Sequence, residues 1–170
     1  KPAADALPPD APVTFVPMPA VDTEQGTIAN PSTRAFAEVR RGFTAFRSDD
    51  VIMAKITPCM ENGKAAIARD LENGLGFGST EFHVLRSNGS VLPAYLFHFV
   101  RQQSFRKAAE AEMTGSVGQK RVPASFLEEA EIPLPPLAEQ KRIVAKVEEL
   151  LARVNAARER LARVPAILKR

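Results

Sequence analysis

Apolar positions in the last part of the chain recur with a period that calls for a partner. After the Pro-rich stretch Ile132 to Pro136, Ile143, Val147, Leu150, Val154, Ala157, Leu161 and Val164 follow at alternating steps of four and three. That 3.5-residue period belongs to helices that wrap around another helix. The pattern predicts one long helix from Leu137 to about Val164, kinked or ended by Pro165. A helix standing alone would leave the stripe in water, so pairing is expected.

Upstream the patterns are shorter and mixed. Lys1 to Pro12 is polar and Pro-rich and reads as an extended lead-in. Val13 to Met18 alternates and predicts a strand, at a sheet edge because Pro17 cannot donate to a ladder. Val21 to Arg34 reads as a polar loop, Arg40 to Phe46 as a short strand, and Asp49 to Thr57 as a buried strand. Asn62-Gly63 predicts a type I′ hairpin turn leading into Lys64–Ala68. Asn73 to Gly78 reads as a glycine-rich turn, and Thr80 to Arg86 as a further strand. Pro93 opens a helix running to about Glu112, with Leu96, Phe97, Val100, Phe105 and Ala108 on its apolar face. Met113 to Gln119 is a loop, Pro123 to Ala130 one helical turn, and Glu131 to Leu134 a short strand. No internal repeat is visible. The expected fold class is α+β, a mixed globular body over residues 1–135 with an appended helix over 136–170.

Composition narrows the functional classes. The chain has 170 residues, 45% hydrophobic and 25% charged, ordinary for one globular domain. No apolar run approaches the roughly 18 residues of a membrane span, and the polar start is no secretory signal. A single cysteine rules out an internal disulfide framework and fits a reducing cytoplasm. Two histidines make a His/Cys metal site a poor expectation. The net charge of +3 is unevenly spread: nine basic and four acidic residues lie from Leu137 onward, leaving the body at −2. A charged flank of a coiled coil accounts for that surplus, as does a face near nucleic acid.

Catalytic patterns are weak. Gly74 to Thr80 has phosphate-loop composition but lacks the Gly-Lys-Ser/Thr ending. Cys59 has no partner base that the sequence ties to it. Asp50, Glu61 and Glu81 form no known acid–base spacing. Two loops instead carry the residue types that contact nucleic acid: Thr57 to Lys64, and Met113 to Arg121, where Gly115 and Gly118 permit close backbone approach. Asn and Gln bond adenine edges bidentately, Arg and Lys guanine edges, and Lys, Ser and Thr phosphates.

The segments FVPMPAVD (Phe15 to Asp22), DDVIMAKITPCMENGK (Asp49 to Lys64), GLGFGSTEFHVLR (Gly74 to Arg86), MTGSVGQKRVP (Met113 to Pro123) and IPLPPLAEQKRIV (Ile132 to Val144) resemble, in order, those of the specificity (S) subunits of type I restriction-modification systems. That resemblance implies a DNA target recognition domain followed by half of a spacer coiled coil. In the family, two such domains each read half of a bipartite target, and paired helices set the gap between them. The S subunit does no chemistry there. Methyltransferase (M) subunits use S-adenosylmethionine, and restriction (R) subunits use ATP and Mg, so no cofactor is expected in this chain. The expected partners are double-stranded DNA, the M and R subunits, and a second S half or a second copy, with no membrane. A helix of about 28 residues spans roughly 42 Å, longer than the roughly 34 Å of one DNA turn. The family's recognition domain usually begins around a Gly-Trp pair, and this chain has no tryptophan; with one domain and one helix it reads as a fragment, or else as a half-subunit acting as a dimer.

On this reading the expected DNA contacts are Lys55, Thr57, Asn62, Lys64, Ser79, Thr80, Ser116, Gln119, Lys120 and Arg121. Gln119, Lys120 and Arg121 stand first, for donor-rich chemistry in a Gly-flanked loop, while Gly63 and Gly78 are expected turn positions. The helix-pairing residues are Ile143, Val147, Leu150, Val154, Leu161 and Val164. The rival is a protein-interaction module whose helix docks a partner and whose body never meets DNA. The negative body charge is in its favour, and a positive loop face would count against it.

Overall fold

The computed structural model describes residues 7–168, with side chains over 7–164. The first half of the expected lead-in thus lies outside the described residues. The architecture of the described residues is α+β, with seven strands in two sheets. The first sheet has the order β2 (Ser32–Ala35), β1 (Pro12–Val16), β6 (Leu75–Gly78), β3 (Thr44–Arg47). The second has the order β5 (Ala65–Ile67), β4 (Val51–Ala54), β7 (Phe82–Leu85). Among the described residues only the β1–β6 pair is parallel; β1–β2, β3–β6, β4–β5 and β4–β7 are antiparallel.

Period-2 alternation assigns each strand face to a layer. Ile52 of β4, Ala66 of β5, and Phe82 and Val84 of β7 face Val16 and Phe46 of the first sheet. Val51, Met53 and Ala65 face the opposite way, into a cluster with Phe97, Val100, Phe105 and Ala109. The outer face of the first sheet holds Val13, Phe15 and Phe77 under Phe36 and Val39 of α1 (Phe36–Val39). Covered on both sides, β4 is buried at every position, which is why Val51–Ala54 reads as a continuous apolar run.

Several expectations change. Strand β1 is interior, not an edge: it lies between β2 and β6, and Pro17 falls just past its last residue, where no ladder donor is needed. Part of the expected polar loop is β2, which is an edge strand. Gly76 and Gly78 are not in a turn but in β6, with Gly78 its last residue. Phe46 is the cross-strand partner of Gly76, and a Cβ there would overlap the Phe46 ring. Glycine is therefore what lets this buried ring lie across the strand. Asn62-Gly63 does connect β4 to β5, though not as a type I′ turn. Lys64 N–H bonds Cys59 O at 3.0 Å, Gly63 N–H bonds Met60 O at 2.8 Å, and Gly63 has φ 75°. That is a Schellman cap closing one helical turn.

The single helix expected from Pro93 is two, α2 (Pro93–Arg101) and α3 (Gln103–Ala111), broken at Gln102 with φ −59° and ψ 140°. Phe97 and Ala109 are twelve positions apart, so in an unbroken helix they would point about 120° apart. The break brings both onto the sheet, so Ala109 is buried where Ala108 was expected. A short helix α4 (Ala124–Glu129) follows. Glu131–Leu134 is not a strand: Pro133 interrupts the donor row, and Leu134 is 55% exposed.

The long helix α5 runs Leu137–Leu168, through Pro165 rather than ending there. Its first turns pack along α2. Gln140 is fully buried and makes three side-chain hydrogen bonds, accepting from Leu92 N–H at 2.8 Å and donating to Ser90 O and Pro135 O at 2.9 Å each. Val144 is buried one turn on, and Glu148 lies 4.0 Å from His98 of α2.

Candidate nucleic-acid interface

One end of both sheets gathers the predicted loops. β4 ends at Ala54 beside Phe82, the start of β7, and Gly78, the end of β6, faces Thr44, the start of β3. The chain leaves these ends as the segments 55–64 and 79–81, and the segment 114–121 between α3 and α4 comes alongside them. Backbone hydrogen bonds tie them together: Lys55 N–H to Glu81 O at 2.9 Å, Thr57 N–H to Lys120 O at 3.0 Å, and Val122 N–H to Lys55 O at 2.9 Å. Within the last segment, Thr114 and Arg121 exchange both backbone hydrogen bonds, at 3.0 and 2.8 Å, closing a small ring around residues 115–120. The residues of that ring are exposed, with Val117 at 96%.

A bidentate ion pair braces this arrangement. Arg121 Nε and Nη2 donate to Glu81 Oε2 and Oε1 at 2.9 and 2.8 Å, while Nη1 donates to Gln119 O at 2.9 Å. The Arg121 hydrogen bonds hold the Glu81 carboxyl below the usual carboxylate range against its partial burial, and the Lys55 charge adds to the effect. Glu81 in turn raises Arg121. Below the loops, His83 Nε2 lies 2.8 Å from Val122 O. Burial pushes this imidazole below its ordinary value, the Val122 carbonyl opposes that shift, and Lys55 reinforces it.

The predicted contacts therefore fall into two groups. Thr57 donates its hydroxyl to Glu61 Oε1 at 2.7 Å, Lys64 donates to Met18 O at 3.2 Å, and Ser79 Oγ accepts from Glu81 N–H at 3.2 Å. With Arg121 these side chains hold the loops in place. Arg121, expected from sequence as a DNA contact to base or phosphate, has all its guanidinium nitrogens engaged within the chain. Lys55, Thr80, Ser116, Gln119 and Lys120 make no side-chain hydrogen bond among the described residues, and they cluster at this end. Asn62 is exposed but lies at the far end of the capped turn, beside Gly63, which faces the Arg106 side chain of α3. Arg106 bonds Glu61 O and so fixes that turn.

Sequence reasoning missed Glu81 and Arg106 as organisers. Each acts on a residue distant in sequence, and nothing local marks the pairing. The three carboxylates weighed as an acid–base set have separate partners: Asp50 pairs with Arg86 at 2.6 Å, Glu81 with Arg121, and Glu61 with Thr57. Among the described residues no group of three His, Cys, Asp or Glu is placed to hold a metal ion, and no helix is long and apolar enough to cross a membrane.

The helix seam is open. Ile143 and Val147 are half-buried, whereas Leu150, Val154, Leu161 and Val164 are 46%, 48%, 68% and 41% exposed. The helix docks on the body through a different stripe, Gln140 and Val144, roughly 80° around its axis from the seam.

The model of the type I restriction modification DNA specificity domain matches residues 13–165. The chain is 42% identical over 141 residues to the type I restriction enzyme EcoAI specificity subunit of Escherichia coli, and 42% identical over 140 residues to the EcoEI specificity subunit of the same species. Each match takes in 82% of this chain and 24% of the relative, so the chain spans about a quarter of those proteins. The crystal structure of the HsdS subunit from Thermoanaerobacter tengcongensis superposes with a TM-score of 0.76 at 31% identity, over 92% of this chain and 40% of that one. A chain from a structure of complex assembly and conformational transition in the type I R-M system gives a TM-score of 0.77 at 31% identity, with the same coverage. The chain belongs to the type I restriction modification DNA specificity domain family.

Proposed function

We propose that this chain reads one half of a bipartite DNA target for a type I restriction-modification complex, with no catalysis of its own. The observation that carries the reading is the convergence of segments 55–64, 79–81 and 114–121 at one end of the paired sheets. There Gln119 and Lys120 project from a braced, exposed ring. Gln119 suits a bidentate bond to an adenine edge, and Lys120 suits guanine or phosphate. Lys55, Thr80 and Ser116 supply phosphate contacts, and Arg121 holds the ring in register. Family membership and this donor cluster disfavour a module that never meets DNA.

The open seam of α5 supports pairing with a second S half or a second copy. Methyl transfer with S-adenosylmethionine, and ATP- and Mg-dependent cleavage, we assign to the M and R partner subunits. A binding selection on random duplexes, with the M subunit present, tests the reading. It should return a short fixed half-site, and Gln119→Ala should relax one or two positions of that site. Recovery of sequences with no common element would refute it.

A further inference from the structure

The same end of the molecule carries a second basic surface, on the outer face of the first sheet. The chain leaves α1 through Arg40 and Arg41, turns at Gly42 with φ 78°, and enters β3 through Phe43. Phe43 is 37% exposed and packs edge-on against Phe15 at 4.9 Å between ring centroids. The Arg34 guanidinium lies over that same Phe15 ring, 4.0 Å from its centroid. Arg34, Arg40 and Arg41 are all exposed, and none makes an ion pair among the described residues, although Asp10 and Glu38 are close along the chain. The aromatic pair therefore holds a short loop and an edge strand together so that their arginines share one surface.

Its position relative to the reading ring follows from the register. Thr44 faces Gly78 across the ladder, so Phe43 comes opposite Ser79 when the pairing is continued. Three residues of chain reach at most about 11 Å, which keeps Arg41 close to this end. The two packed sheets are about 10 Å apart, and the ring lies beyond the second one. The arginines are thus more than about 10 Å from Gln119, at least about three base-pair steps of 3.4 Å. That offset suits phosphates flanking a half-site rather than the bases within it. Guanidinium groups with no carboxylate partner are well matched to phosphate oxygens.

We infer that Arg34, Arg40 and Arg41 form a phosphate-gripping surface that clamps the DNA backbone beside the half-site, an inference that rests on the DNA-reading function proposed above. The test is a salt titration of duplex binding by the full protein in its methyltransferase complex. Replacing both loop arginines (Arg40→Gln with Arg41→Gln) should weaken binding equally for all sequences and reduce the slope of log K against log salt by about 1.8. Arg40→Lys with Arg41→Lys should restore the slope. Arg34→Gln alone, which leaves the loop intact, should remove about 0.9. An unchanged slope in folded variants, or an altered sequence preference, overturns the inference while leaving the reading ring in place. Absence of DNA binding by the parent complex overturns both.

Discussion

Single residues here act through partners far along the chain. Arg121 and Glu81 are 40 positions apart, and their pairing braces the loop that carries Gln119 and Lys120. Gly76 works in the same way: its missing side chain is space for Phe46. Gly76→Ala should therefore destabilise the fold by about 2 kcal/mol or more, because Phe46 is fully buried and cannot move aside. A urea midpoint equal to that of the parent would show that the core repacks freely. Protonation gives a second residue-scale prediction. His83 and His98 are both pushed below the ordinary imidazole value of 6.5, chiefly by burial. The unfolded chain thus takes up protons below about pH 6.5 that the folded chain refuses until lower pH, so stability falls as pH drops through that window. Glu81, held low by Arg121, contributes stability above the ordinary carboxylate value of 4.5 and loses it as pH falls through its folded value. Urea midpoints at pH 8, 6 and 5 should decline in that order, and a flat profile would contradict the burial argument.

At the scale of elements, what was legible depended on whether the signal was local. The length of α5 and the buried run of β4 are marked by consecutive residues, so a long helix and a buried strand are both legible in the sequence. The Asn62-Gly63 pair was misread because the same dipeptide suits a type I′ turn and a helix cap, and only the hydrogen bonds distinguish them. The glycines of β6 looked like a loop because the ring that requires Gly76 comes from another strand. The break at Gln102 left no local mark, since Arg101, Gln102, Gln103 and Ser104 are polar in either geometry. In the candidate site, the two loops stand out in sequence because their donors cluster there. Which donors are free was not legible, because that depends on partners such as Met18 O and Glu81. Gln140 is the element-scale hinge pin: Gln140→Leu would strand one N–H and two carbonyls that it now satisfies, a loss of about 2 kcal/mol. Thermal unfolding of that variant checks the figure; no change in midpoint would mean that α5 is held by apolar contact alone.

The molecule as a whole is a layered body whose last helix leaves with an uncovered apolar stripe. Burying one Leu or Val side chain contributes about 1.5–3 kcal/mol, so several such positions give pairing a strong driving force. Leu150→Glu with Leu161→Glu should abolish association through α5 while the body stays folded. Sedimentation velocity of parent and variant reads this directly, and a parent that remains monomeric at micromolar concentration would oppose the pairing role. The Gln140 clamp also makes the helix a lever. From that residue to Leu168 the arm is about 42 Å long, so a tilt of only about 5° at its socket swings the tip by about 4 Å, more than one base-pair step. The direction in which the helix tip points therefore depends on one buried amide and the three backbone groups that grip it, together with Val144 buried one turn on.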